Sequence, residues 1–321
     1  MKEVSTFKYI DYLRSPVDGS ALLLIENKLI DKSKNEFPIV NGIPRFVEKD
    51  NYASSFGFQW NLFDATQIDE KSKTNISSDR FYRNTSWSDV DLKGKTFLEV
   101  GSGAGRFTEV ILKTGADLYS IDYSNAVEAN WRNNGTKKEF FLAQANIYCL
   151  PFKKDFFDYI LCFGVVQHTP DVKASFFSLL TFLKPGGEIA MDVYPKNWKT
   201  TFNTKYWVRP LTKKMNKEKL LKIIKWYVPK WFPLSSLLLK IPFAGKFLAQ
   251  VIPICNYSKQ FPLLTKKQLV EWSVLDTFDM LSPEHDHPQN LETLRGWAKE
   301  AGLQILYCGK GDNGYVLRAK K

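Results

Sequence analysis

Cysteine is scarce in this chain and badly spaced for pairing. The four thiols, Cys149, Cys162, Cys255 and Cys308, contain no Cys-x-x-Cys pair, and none precedes Cys149. That spacing argues against a disulfide framework and a thiolate zinc site, and it fits a reducing compartment. Histidine is rarer still, with three residues, His168, His285 and His287, so few imidazoles are available for proton transfer or metal ligation. No uninterrupted apolar run reaches about 18 residues, so no helical membrane span is expected. The opening MKEVSTFKYIDYL has no long apolar run, so no secretory leader is expected either. The expected location is the cytoplasm. Acidic residues are almost missing from 196–250, where Glu218 stands against 13 Lys and Arg. That segment carries +12 of a net +11, which leaves −1 for the rest (11 − 12), so the basicity has a local cause.

What is present is enough apolar residue for a core. Of 321 residues, 44% are hydrophobic and 15% aromatic, which places the chain among globular rather than disordered sequences. The length exceeds an average domain of about 100–200 residues, so one domain with additions is expected. Residues 1–50 read as a small β-rich unit. Leu22–Ile25 and Leu29–Ile30 form a hairpin, and Phe37–Val40 leads into the turn Asn41-Gly42. Residues 51–93, with Tyr52, Phe56, Phe58, Trp60 and Phe63 close together, read as a connecting arm.

From 94 to 194, strand and helix alternate. Strands are expected at Thr96–Val100, Leu118–Ile121, Phe140–Ala143, Tyr159–Phe163 and Glu188–Tyr194. Helices are expected at Arg106–Lys113, Ser124–Arg132 and Val172–Leu183, the last stopped by Lys184-Pro-Gly-Gly187. Residues 195–289 interrupt the alternation. Pro210, Pro229, Pro233, Pro242, Pro253 and Pro262 punctuate them, so short helices are expected. Residues 290–321 then add a helix, Leu291–Ala301, and strands at Leu303–Tyr307 and Tyr315–Ala319. The fold class is α/β, a doubly wound, mostly parallel seven-stranded sheet covered by helices.

The most informative stretch is Phe97-Leu-Glu-Val-Gly-Ser-Gly-Ala-Gly-Arg-Phe107. A strand runs into three glycines and a helix follows, so the backbone can turn sharply and approach a ligand. The spacing is GxGxG; a dinucleotide fingerprint would need glycine where Arg106 stands. Glu99 disfavours a pyrophosphate there and suits a cationic ligand without phosphate. Asp122 ends the second strand, 21 residues after Gly101. It is placed to accept hydrogen bonds from ribose hydroxyls, or alternatively to cap the second helix.

Glu99-Val-Gly-Ser-Gly-Ala-Gly105 resembles motif I of class I S-adenosylmethionine-dependent methyltransferases, and Asp122 is similar to their ribose-binding acid. Ala143-Gln-Ala-Asn146 is similar to the segment after their third strand, with Asn146 where many members have Asp. Phe157-Asp-Tyr-Ile-Leu-Cys-Phe-Gly164 resembles the fourth-strand motif, and Val165-Val-Gln-His-Thr-Pro170 the segment closing over the sulfonium. Leu183-Lys-Pro-Gly-Gly-Glu188 is similar to the turn before the fifth strand. The resemblance implies S-adenosylmethionine as cofactor. It implies contacts from Glu99, Gly101, Ser102, Gly103, Gly105, Arg106 and Phe107 in the loop and helix start. Asp122 and Tyr123 would follow at the ribose. Asn146 would meet the adenine amino group, with Ile147 beside it, unless Asn146 is an ordinary turn residue. Phe163 and Gln167 complete the implied set.

The flanks carry further resemblances. Leu13-Arg-Ser-Pro-Val-Asp-Gly-Ser20 and Phe37-Pro-Ile-Val-Asn-Gly-Ile-Pro-Arg-Phe46 resemble the small zinc-ribbon-like domain related to the methyltransferase activator Trm112. Ser15 and Asp18 stand where that family has cysteines, so the unit is expected to be metal-free. Tyr52-Ala-Ser-Ser-Phe-Gly-Phe-Gln-Trp60 resembles the arm before the catalytic domain in methyltransferases of bacterial surface-glycan gene clusters. Phe58, Gln59 and Trp60 either cover the cofactor or pack between domains. Asp276-Thr-Phe-Asp-Met-Leu-Ser-Pro-Glu-His-Asp-His-Pro288 is similar to a polar segment of the same enzymes. It reads as a turn-rich, substrate-facing loop, and no metal is expected on it.

Methyl transfer asks an enzyme mainly to align an acceptor with the cofactor. A hydroxyl acceptor also benefits from a base. The candidates are His285, His168 and Asp279, with His285 preferred because its segment has no cofactor duty. The expected reaction is methylation of a hydroxyl on a sugar or glycan precursor, free or lipid-linked. A quinone or other apolar acceptor is the alternative, and a non-catalytic cofactor-binding protein is another. The insert 195–289 is expected to form a substrate lid. Its Lys residues, mixed with Trp198, Trp207, Trp226, Trp231 and Leu234–Leu239, also suit an anionic membrane surface on the cytoplasmic side. No nucleic acid is expected, since apolar residues abound and Arg is scarce. Oligomeric state is not readable from the sequence.

Overall fold

The computed structural model describes residues 8–48, 51–88, 90–196 and 203–321. Strands β1 (Leu23–Ile25), β2 (Lys28–Ile30), β3 (Glu36–Val40) and β4 (Ile43–Pro44) form an antiparallel sheet. Ser15 and Asp18 are knotted into it by hydrogen bonds. Ser15 Oγ donates to Asp31 Oδ2 at 2.7 Å, and Asp18 accepts from Ser33 Oγ at 2.8 Å. The unit is not a free-standing body. Tyr9, Leu13, Leu29 and Phe46 share one apolar core with Tyr119 and Phe141 of the large sheet.

The arm is helical: α1 (Ser54–Leu62), α2 (Asp69–Ser72) and α3 (Ile76–Thr85). The large sheet then begins with β5 (Thr96–Val100), followed by α4 (Arg106–Lys113), β6 (Asp117–Asp122), α5 (Val127–Asn134), β7 (Phe140–Gln144), β8 (Phe157–Cys162), α6 (Val172–Leu180) and β9 (Leu183–Val193). After the insert come α11 (Leu291–Glu300), β10 (Gln304–Gly311) and β11 (Gly314–Lys320). The strand order is β10-β11-β9-β8-β5-β6-β7. The pairs among β5 to β9 are parallel, and β11 runs antiparallel to both neighbours. Both faces are covered, so the central strands read as unbroken apolar runs. The chain winds outward from β5 in both directions. A crevice opens beyond the carboxyl ends of β5 and β8, where ligands bind in such sheets.

Some boundaries depart from expectation. The second helix starts at Val127 rather than Ser124, because Ser124 Oγ is spent on the turn: it donates to Asp122 Oδ1 and accepts from Ala126 N–H. The third helix stops at Leu180, and Lys184–Gly187 is a bulge inside β9, where the register on β8 slips between Phe157 and Tyr159.

The insert holds α7 (Lys205–Thr212), α8 (Lys217–Leu238), α9 (Gly245–Ala249) and α10 (Lys266–Leu281). Short helices were expected, but α8 runs 22 residues through Pro229 and Pro233. Both prolines lie on its exposed side, where water can serve the carbonyls they leave unbonded. Its opposite stripe, Leu220, Ile224, Val228 and Phe232, packs on Leu269, Trp272, Leu275 and Phe278 of α10. The polar segment 276–288 is therefore not all loop. Its first six residues complete α10, whose Thr265-Gln268 capping box fixes the start. Trp198 lies outside the described residues.

Candidate active site

The crevice is a cavity of about 440 Å³, walled by the sheet on one side, the arm across the top, and α7 and α10 opposite. That volume suits a cofactor-sized ligand. The glycine loop forms its floor. Gly103 has φ +54, and its N–H donates to Asp122 Oδ2 at 2.9 Å. Ser124 N–H and Oγ–H hold the other oxygen at 2.8 and 2.7 Å. Asp122 does not cap α5, whose N-cap is Ala126; it orders the turn before that helix, and it lines the cavity. Trp60 lies flat against the loop, so a side chain at Gly103 would sit 3.1 Å from its indole. Gly101, Ser102, Arg106, Phe107, Tyr123, Ile147 and Phe163 also line the space.

Other expected contacts lie elsewhere. Glu99 is fully buried behind the loop, its Oε2 accepting from Thr108 and Ser120. Burial pushes its carboxyl up to about 7, against those hydroxyls. Gly105 is a packing glycine. Its φ is +91, and a Cβ there would lie 2.2 Å from Asn130 Oδ1. Asn146 does not line the cavity. Its carbonyl, the acceptor wanted for adenine, already accepts from Tyr148 N–H at 3.0 Å. Phe58 packs on Phe278 in the insert core, at 5.8 Å between ring centres. Gln59 and Gln167 are buried next to the crevice without lining it, their amides short of hydrogen-bonding geometry.

The three candidate bases separate clearly. His285 is not in the cavity wall; its ring lies between Tyr52 and His287. The preferred candidate, His285, is thus the one of the two histidines that does not line the cavity. His168 lines the cavity and is buried, with Nδ1 at 3.0 Å from the His285 carbonyl. A carbonyl only accepts, so Nδ1 carries the proton and Nε2 keeps its lone pair. Nε2 has no partner. Burial pushes this imidazole down to about 4, more than the His285 carbonyl and Asp286 raise it. Asp279 also lines the cavity. It accepts from Tyr194 Oη at 3.2 Å, and burial raises its carboxyl to about 6.

The sequence reading missed several wall residues. Asp276 sits one turn before Asp279 on α10, accepts from Trp272 Nε1 at 3.1 Å, and is raised to about 7, first by burial. Lys205 on α7 lines the wall and pairs with Asp286 at 2.9 Å. Burial lowers its pKa, but Asp286 and Tyr206 outweigh that and the net direction is up. Arg80 on α3 is paired to Asp192 at 2.6 Å and lies over Phe107 and Phe163; its buried Nε–H has no acceptor. Arg106 is brought down to about 9, by burial first and then by Arg80.

These side chains suit an adenosyl sulfonium. Asp122 faces the space a ribose diol would take, and aromatic walls are available to a base. Ser102 and Arg80 line the wall, and their Oγ and Nε are buried without partners.

Residues 98–191 match the family model described as a methyltransferase domain. The ubiquinone biosynthesis O-methyltransferase of Coxiella burnetii is 27% identical over 117 residues, covering 36% of this chain and 50% of that protein. A phosphoethanolamine N-methyltransferase 2 of Caenorhabditis elegans is 28% identical over 111 residues, covering 33% and 25% respectively. The chain thus spans about half the length, or less, of these curated relatives. Among solved structures, magnesium protoporphyrin IX methyltransferase of Synechocystis aligns over 84% of this chain and 96% of its own, at 14% identity and a TM-score of 0.48.

Proposed function

Residues 98–191 being a methyltransferase domain whose cofactor is S-adenosylmethionine, we propose that the whole chain methylates a hydroxyl group of a sugar or glycan precursor, free or lipid-linked. The observation that carries the hydroxyl is His168. His168 lines the same cavity as the glycine loop and Asp122, and its Nε2, unprotonated, is buried without a partner. The cofactor supplies an electrophilic methyl carbon on a sulfonium. With that group bound, His168 would take the proton of the acceptor hydroxyl at Nε2. The imidazolium so formed is stabilised by the His285 carbonyl and by Asp286.

The acceptor side supports a sugar. Asp276 and Asp279 offer carboxyl groups beside Trp272, Phe261 and Tyr257 in the wall. Carboxyls bond hydroxyls, and aromatic faces take the C–H surface of a pyranose. Residues 195–289 act as the lid of this half. A second reading, a phenolic hydroxyl on a quinone precursor, is favoured by the similarity to the ubiquinone biosynthesis O-methyltransferase of Coxiella burnetii.

Calorimetry with S-adenosylmethionine tests the cofactor. Transfer of labelled methyl to cell extract, split into lipid and aqueous fractions, tests the acceptor. Label in a sugar-containing product, in either fraction, supports the first reading. Label in an aromatic lipid supports the second. Tight cofactor binding with no transfer would leave a binding protein without catalysis.

A further inference from the structure

Helix α8 carries two apolar stripes, and only one is covered. The buried stripe faces α10. On the other side, Ile223, Trp226, Leu234, Leu237 and then Ile241 recur at intervals of three to eight residues and are 44, 61, 42, 61 and 42% exposed. Lys230 falls within this row, and its Nζ sits 3.9 Å from the centre of the Trp226 ring. Side chains at such spacing share one helix face. Just beyond α8, Phe243 is fully exposed, Phe247 is 53% exposed and Val251 61% exposed.

Lysines border this surface. Lys219, Lys222, Lys230 and Lys240 are all exposed along α8 and its end. Among described residues, no ion pair ties these four to an acid. Glu218 is the one acid in 196–250. An apolar patch of this extent on a monomer marks an interaction surface. No helix of the described residues is long and apolar enough to cross a membrane, so the patch calls for a surface contact rather than a span.

We propose that this face of α8, with Phe243, docks onto an anionic phospholipid bilayer. Charge complementarity selects the occupant. Lysines are drawn to an anionic leaflet, and tryptophan and phenylalanine settle at the headgroup boundary. A second copy of this chain would bring a second surface of the same sign against it. A nucleic acid would satisfy the lysines but leave Trp226, Leu237 and Phe243 in water. The prediction is independent of the methyl acceptor. A docked α8 would bring the lid of the cavity to the bilayer, where a lipid-linked acceptor resides.

The test is sedimentation of the full chain with vesicles. Phosphatidylcholine vesicles with about 30 mol% phosphatidylglycerol should pellet it at low salt, and salt of about 0.5 M should release most of it. Pure phosphatidylcholine should bind roughly tenfold or more weakly. The double variant Trp226→Ser, Leu237→Ser should lose at least about tenfold in vesicle affinity, since each removes a buried apolar side chain. It should still bind S-adenosylmethionine, which shows that it folds. Lys222→Glu, Lys240→Glu should lose the anionic preference. Failure to pellet with anionic vesicles at low salt overturns the proposal. So does pelleting that the two double variants leave unchanged. A concentration-dependent dimer abolished by the Trp226, Leu237 variant, with no vesicle binding, would assign the face to a second copy instead.

Discussion

Nδ1 of His168 lies 3.0 Å from the main-chain carbonyl of His285. The bond is made by backbone, so it fixes the tautomer whatever side chain stands at 285. His168→Ala should therefore lower kcat by about 10² to 10⁴ while leaving cofactor affinity intact, the range expected for loss of a positioned base. His285→Ala should retain most of the rate. In the native chain the rate should fall on acidification through about 4, the value to which burial brings His168. Initial rates across pH, with cofactor binding measured in parallel, check all three.

Asp122 joins the glycine loop to the ribose side of the cavity through the Gly103 amide. Removing the carboxylate would strip the loop of that bond and the ribose of its acceptors. Asp122→Ala should weaken S-adenosylmethionine binding by roughly 100-fold, since hydrogen bonds to a charged group contribute about 1.5–3 kcal/mol each. Calorimetry reads this directly.

Gly105 separates packing from binding. A methyl group there meets Asn130 Oδ1 and Asn134 Nδ2, and φ +91 strains any other residue. Gly105→Ala should cost on the order of 2–3 kcal/mol in chemical denaturation. At saturating cofactor it should lose less in affinity than Asp122→Ala does.

Glu99 makes stability depend on pH in a definite sense. Its folded pKa is raised from 4.5 to about 7, first by burial. Its share of stability is full below 4.5 and is lost as pH rises through about 7. The shift corresponds to about 3 kcal/mol. Glu99→Gln cannot ionise, so its melting temperature should fall less between pH 5 and 8 (about three units around that pKa) than the native one does. Equal slopes for the two proteins would remove Glu99 as the source.

The sheet was legible because its signals are local. Thr96–Val100 and Arg106–Lys113 begin and end where the pattern puts them, since apolar runs and loop glycines act within a few residues. The glycine-loop side of the cavity followed from the same stretch. The opposite wall did not, because it depends on how distant segments pack. Read as a loop, the segment offered Asp279 as a candidate base but gave Asp276 no role. On a helix they share a face with Trp272, four residues before Asp276. The capping box Thr265-x-x-Gln268 was the signal that could have placed that helix. His285 stood out by residue type, whereas its contact with His168 is made by its main-chain carbonyl, which no residue type reveals. In α8 the prolines spoke against a long helix, and burial against α10 overrode them.

The last relationship links the insert to the base. Asp286 pairs with Lys205 at 2.9 Å and lies 3.8 Å from Arg209, all three side chains being largely buried. Arg209 also donates to the carbonyls of Met280 and Pro283, both at 2.9 Å. α7 is thereby tied to the segment whose His285 carbonyl holds His168. Asp286→Asn would leave two buried cations uncompensated and should cost about 3–5 kcal/mol. Lys205→Met leaves Asp286 with Arg209 and should cost less. The electrostatic consequence at His168 has opposite signs in the two variants. Asp286 raises that imidazole and Lys205 lowers it. Asp286→Asn should thus move its titration further below about 4, and Lys205→Met should move it up. NMR titration of the three histidines distinguishes the two. Displacements of the same sign would mean that the ion pair acts on His168 only through packing.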